Sequence, residues 1–213
     1  MTDALHPRLT VVDHPLAQRH LAVLRDKDTP SPTFRATLQD VSVVLLYEAL
    51  RDLRVEVGTV ETPLETAPAG RLADDVVVVA IMRAGLGMVD GALRVVPEAR
   101  VGHIGVYRDE EVLKPVNYYE SLPPDLGGSD LIVVDPMLAT GGSAVHALDV
   151  VKESGPRNLR FVCLVAAPEG VRALAAAHPD VPVTTAALDD RLDENGYIRP
   201  GLGDAGDRLF GTT

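Results

Sequence analysis

Between Leu131 and Ser143 the chain reads L-I-V-V-D-P-M-L-A-T-G-G-S, and much of its potential chemistry is gathered there. Asp135 offers a carboxylate directly after four apolar residues, Thr140 and Ser143 offer hydroxyls, and Gly141 and Gly142 let the backbone come close to a ligand. The V-H-A-L-D-V-V that follows has helical spacing, so the stretch reads as a buried strand, a tight loop and a helix start. The first N–H groups of a helix have no partner within it and favour anions. A phosphate cradle with a carboxylate at its mouth suits a sugar phosphate with free hydroxyls. No lysine follows the glycines, which excludes a Walker loop, and the absence of G-x-G-x-x-G at this turn excludes a dinucleotide fingerprint. A valine at Gly141 is expected to project into the cradle and block the phosphate.

Two further clusters carry chemistry. The β-branched run at residues 76–81 ends in M-R-A-G-L-G-M, which repeats the strand–turn–helix plan and places Arg83 at the strand's end with Gly85 behind it. The C-terminal L-D-D-R-L-D-E-N-G-Y-I-R-P-G-L-G-D-A-G-D-R-L-F-G-T-T holds Gly196, Gly201, Gly203, Gly206 and Gly211, too many for a regular helix. Tyr197, Ile198, Leu202 and Phe210 among them argue for irregular backbone shaped around a ligand rather than a loose tail.

D-P-M-L-A-T-G-G-S resembles the 5-phosphoribosyl-1-pyrophosphate (PRPP) motif of type I phosphoribosyltransferases, in the form with Pro136 in place of a second acid that uracil phosphoribosyltransferases carry. G-Y-I-x-P-G-L-G-D-A-G-D-R resembles the base-binding hood of the same enzymes, and the likeness runs from about Val11 to the C-terminus. It implies transfer of the phosphoribosyl group from PRPP to uracil, giving UMP and pyrophosphate. The roles it implies fall on particular residues. Arg83, Arg108, Asp135 and Asp204 would be catalytic. PRPP would lie on Arg83, Arg108, Asp135, Pro136, Met137, Leu138, Ala139, Thr140, Gly141, Gly142, Ser143 and Asp204. Uracil would lie on Ile198, Gly203, Asp204 and Ala205. Mg²⁺ would be held mainly by PRPP and water, with no protein cage. The family admits GTP as an effector and implies a homodimer or a higher homo-oligomer. Asp193 stands where the family pattern has Asn.

The elements that must position these residues follow from the rest of the chain. A frayed start over residues 1–9 leads to a short strand, a break at Pro15 and a helix, and Ser31-Pro32 caps a helix near residues 34–53 with Leu38, Val41, Leu45 and Ala49 on one face. A strand at 101–106 precedes a long polar segment interrupted by Pro115, Pro123 and Pro124, which the resemblance implies is a flexible hairpin or loop over the site with Arg108 at its start; Lys114 reads as solvated. After the central motif come helix 143–153, strand 160–166, helix 168–178 and strand 181–187. The class is therefore α/β, a mainly parallel central sheet flanked by helices; the resemblance implies a single domain over 1–213 with a small hood from the N- and C-terminal segments. His14, His20 and Arg25 read as solvated surface. His103, His146 and His178 lack metal-ligand spacing.

A 213-residue chain with 46% hydrophobic residues can bury a substantial core. A net charge of −11 argues against nucleic-acid binding, which rests on cations. The single Cys163, in F-V-C-L-V-A-A, is expected in the core, and the absence of a signal pattern or a long apolar run predicts a soluble cytoplasmic protein. Two alternatives differ in kind. A phosphoribosyltransferase for another base disagrees with the tail at 197–208, and a non-catalytic regulator binding RNA would need a basic face.

Overall fold

The structure is a computed structural model that describes residues 5–108 and 115–212, without the side chains of residues 107, 108, 115 and 116. In chain order its elements are β1 (Leu9–Val11), α1 (Pro15–Arg25), α2 (Ser31–Ala49), β2 (Val55–Glu61), β3 (Thr66–Leu72), β4 (Val76–Met82), α3 (Leu86–Val95), β5 (Arg100–Arg108) and β6 (Pro115–Ser121). There follow β7 (Asp130–Val134), β8 (Met137–Leu138), α4 (Gly142–Glu153), β9 (Asn158–Ala166), α5 (Pro168–Ala177), β10 (Val183–Leu188), β11 (Arg191–Leu192), β12 (Ile198–Arg199) and α6 (Ala205–Phe210).

Eight strands form the central sheet in the order β1-β10-β9-β7-β4-β5-β6, with β8 beside β9. All its pairings are parallel except β5 with β6. Two-sided burial explains why β4 and β7 read as unbroken apolar runs. Val76, Val78 and Ala80 face the core beneath α1, α2 and α3, whereas Val77, Val79 and Ile81 face the core beneath α4 and α5. Cys163 is fully buried, and its thiol is pushed up to about 12 by burial, so it is a core residue. No helix among the described residues is long and apolar enough to cross a membrane.

Several boundaries differ from the sequence expectation for identifiable reasons. The start is not frayed where it is described: His6 is fully buried, its Nδ1 accepts the Arg8 N–H at 3.0 Å, and Leu9 already pairs with Val183. The break expected at Pro15 falls between β1 and α1, with Pro15 itself the first residue of the helix, where a missing N–H costs nothing. Ser31 is the first residue of α2, after Pro30 at the N-cap. The β2–β3 hairpin was not anticipated: its residues alternate little and stay largely exposed. Beyond β5 the polar segment returns as β6, so the hairpin form of that expectation holds at its two described strands; Lys114 lies outside the described residues. The C-terminal glycines do not exclude a helix, since α6 includes Gly206.

Candidate active site

Parallel pairing brings the ends of the strands to one edge. Ala80 of β4 lies beside Val134 of β7, and Met82 lies beside Gly105 of β5. Asp135, Arg83 and the end of β5 therefore share the carboxyl edge of the sheet, where open α/β sheets bind ligands. Arg108 ends β5 opposite Pro115; its side chain is outside the described residues.

The Arg83 turn is seated directly on the backbone. A Cβ on Gly85 would come within 2.5 Å of the Ile81 and Val134 carbonyl oxygens, so only glycine fits. The peptide bond between Met82 and Arg83 is cis.

Asp135 follows β7, its own N–H donating to Val162 O at 3.2 Å and its Oδ1 accepting the Met137 N–H at 3.2 Å. Pro136 O accepts the N–H groups of Leu164 and Val165, both at 3.0 Å, and Leu138 O accepts that of Ala167 at 2.9 Å, so β9 pins the loop from below. Among the described residues, the N–H groups of Ala139, Thr140 and Gly141 donate to no other group. Gly141, at φ 86°, is the N-cap of α4, whose first-turn N–H groups add to this set. Such a cluster of donors at a helix N-terminus is suited to an anion.

The structure corrects one expectation about this loop. A Cβ on Gly141 would meet Ala173 Cβ at 2.9 Å and Gly170 O at 3.0 Å, so it points into α5 and not into the cradle. A Cβ on Gly142 would meet only Thr140 Oγ1, at 3.8 Å, and is the open position. Gly170 completes the seat from the other side, where a Cβ would fall 2.4 Å from Ala139 O. Sequence reasoning missed Gly170, whose signal was present in the P-E-G that opens α5.

Burial pushes the Asp135 carboxyl up from 3.8 to about 7, against a smaller opposing pull from the Met137 N–H. Because the folded value is the higher one, the charged carboxylate costs stability above pH 7, and that cost disappears as pH falls from about 7 toward 4. Asp135→Asn is expected to raise the melting temperature at pH 8 by a few degrees and to lose that gain by pH 4.5. Thermal scans of both proteins at the two pH values check this; a pH-independent gain would place the carboxyl in ordinary solvent.

The C-terminal segment is built over the same edge. Ile198, Leu202, Ala205 and Leu209 are buried in the core beneath α1 and α2. Asp189, 7% exposed, accepts both Nη groups of Arg25 at 2.5 and 2.8 Å and the Gly201 N–H at 2.8 Å. Arg25 is therefore a structural clamp and not solvated surface. Arg208 donates to the carbonyl oxygens of Leu24, Leu202 and Asp26 and stacks 4.5 Å from the Phe34 ring centroid, tying α6 to the C-terminus of α1. Asp204 caps α6, its Oδ1 accepting the Asp207 N–H at 2.9 Å. The N–H and C=O of Gly203 make no backbone hydrogen bond among the described residues. A Cβ on Gly196 would lie 3.8 Å from Thr140 Cγ2, so the β11–β12 turn reaches the loop after β7. Glu169, also unforeseen, holds that hairpin by accepting the Leu192 N–H at 3.2 Å.

A family model described as uracil phosphoribosyltransferase matches residues 11–212. The chain belongs to the uracil phosphoribosyltransferase family. It is 58% identical over 204 residues to the uracil phosphoribosyltransferase of Salinibacter ruber, covering 96% of this chain and 97% of that one. It is likewise 58% identical over 207 residues to that of Myxococcus xanthus, covering 97% and 98%. Its fold matches the AQ2163 protein from Aquifex aeolicus with a TM-score of 0.92 at 38% identity, over 96% of this chain and 99% of that chain. A hypoxanthine-guanine phosphoribosyltransferase from Bacillus anthracis shares the fold at a TM-score of 0.52 and 16% identity, over 72% and 78%.

Asp193, where the resemblance led to an expectation of Asn, makes use of both carboxylate oxygens. Its Oδ1 accepts the N–H groups of Asn195 and Tyr197 at 3.0 and 2.9 Å, as an amide oxygen would, and its Oδ2 adds an ion pair to Arg199 at 2.5 Å. His14 caps α1 through Nδ1, which accepts the Leu16 N–H at 3.1 Å. Among the described residues, no group of three or more His, Cys, Asp or Glu could hold a metal ion.

Proposed function

We propose that the chain transfers the 5-phosphoribosyl group of PRPP to uracil, giving UMP and pyrophosphate. The observation that carries this reading is the loop after β7, where unbonded N–H groups lie beside Asp135 at the sheet's carboxyl edge. Residues Pro136 to Ser143 would grip the 5-phosphate through N–H groups and the Thr140 and Ser143 hydroxyls, and Asp135 would accept ribose hydroxyls. Arg83 and Arg108 would hold the pyrophosphate, with Asp204 reaching PRPP from the hood. Departure of pyrophosphate builds positive charge on the ribose ring, so catalysis consists of aligning the two partners and stabilising the leaving charge. Ile198, Gly203, Asp204 and Ala205 would present backbone groups to uracil.

Mg²⁺ belongs to this proposal as a companion of PRPP. The donor set suits it, with the hard carboxylate oxygens of Asp135 after β7 and of Asp204 at the N-cap of α6; a Mg²⁺ ion keeps waters and substrate oxygens as most of its ligands. When bound it neutralises pyrophosphate charge.

The whole chain is read as one catalytic domain whose terminal segments form the hood, cytoplasmic, and without a nucleic-acid or membrane partner. A homodimer or higher homo-oligomer is supported by the β2–β3 hairpin, which carries Val57 at 83% and Leu64 at 95% exposure. GTP as an effector rests on the family resemblance alone. The test of the central reading is formation of UMP from uracil and Mg²⁺–PRPP by the purified chain; no UMP with either substrate in excess would overturn it.

A further inference from the structure

We propose that Asp207 is a positioning residue that holds the Arg83 guanidinium in place for pyrophosphate. The proposal rests on the reading of Arg83 as a pyrophosphate ligand. Arg83 Nη2 donates to Asp207 Oδ1 at 3.1 Å, and its guanidinium carbon lies 5.9 Å from the Phe210 ring centroid. A Cβ on Gly206 would fall 3.6 Å from the same nitrogen, so the first turn of α6 closes around the side chain.

The carboxylate that receives Arg83 is itself fixed. Its Oδ1 also accepts the Thr212 hydroxyl at 2.5 Å, and its backbone N–H is capped by Asp204 at 2.9 Å. The Thr212 hydroxyl and then Arg83 hold Asp207 below the usual carboxylate range. Stability is not the purpose of this pair, because its side chains are 55% and 30% exposed and such pairs contribute little. Geometry is. A guanidinium has five N–H donors, and one contact leaves the others for a second anion. A long arginine that is already ordered loses less freedom when the substrate arrives. Asp204 and Asp207 thus lie on one turn, which links the proposed base side of the site to the arginine on the pyrophosphate side.

A double-mutant cycle tests this, with calorimetry of Mg²⁺–PRPP binding, steady-state kinetics and thermal scans. Arg83→Ala is expected to weaken PRPP about tenfold to a hundredfold. Asp207→Ala is expected to weaken it about fivefold to twentyfold, with the uracil KM and melting temperature little changed. The double variant should bind within about twofold of Arg83→Ala alone, because the aspartate acts through the arginine. Losses that multiply would overturn the proposal, as would wild-type or tighter binding by Asp207→Ala, which would make the pair a competitor of the substrate. Wild-type binding by Arg83→Ala would remove Arg83 from the site, and the proposal with it. If Asp207→Ala unfolds α6, Asp207→Asn carries the cycle: it keeps an oxygen for Thr212 and is expected to show an intermediate loss that vanishes in the Arg83→Ala background.

Discussion

Gly141→Val is expected to lose PRPP binding and stability together, whereas Gly142→Ala loses affinity alone. Gly141 sits at φ 86°, a conformation that β-branched side chains rarely adopt, and its Cβ would press on Ala173 and the Gly170 carbonyl at 2.9 and 3.0 Å. Backbone strain of about 1–3 kcal/mol and a similar overpacking cost would displace the loop from α5. A hundredfold or greater loss of PRPP affinity is the expected order, about 3 kcal/mol. At Gly142 an added methyl meets only Thr140 Oγ1 at 3.8 Å, and alanine suits a helix start. Its melting temperature should stay within about two degrees of wild type, and any loss of affinity then reports the approach of phosphate to the backbone. Calorimetry with Mg²⁺–PRPP beside thermal scans separates the two. Wild-type affinity in Gly141→Val would show that this loop is not the phosphate site.

Uracil is expected to be accepted with about a hundredfold to ten-thousandfold preference over cytosine, and orotate and hypoxanthine to be refused. Uracil presents an N3–H donor between two carbonyl acceptors; cytosine presents an acceptor at N3 and a donor amine beside it. A site matched to uracil faces two unpaired polar groups with cytosine, at about 1–3 kcal/mol each. The unbonded N–H and C=O of Gly203 are suited to such an edge, and Ile198 and Ala205 are buried beside it. Orotate needs a cation for its carboxylate. Within residues 197–208 the two arginines are engaged, Arg199 with Asp193 and Arg208 with the carbonyl groups of Leu24, Leu202 and Asp26. Hypoxanthine adds a second ring. Nucleotide formation from each base at equal concentration decides the matter, and any rival equal to uracil in kcat/KM would displace the C-terminal segment as the base site.

What could be read from the sequence alone was whatever depends on local order. Four apolar residues before Asp135 and a β-branched run before Arg83 specify buried parallel strands, because side chains covered on both faces leave no polar alternation. The loop motif, the Gly-rich tail and the family followed from contiguous residues, as did the burial of Cys163. Tertiary structure decided what depends on partners distant in the chain. Arg25 could be recognised as a clamp only when Asp189 and Gly201 were brought to it, and Asp207 acquired a role only beside Arg83. The β2–β3 hairpin escaped because it alternates little and buries little. Gly141 shows the division within one residue: its type and its place at a helix start were legible, but the direction of its missing Cβ, toward α5, is set by the packing of one helix on another.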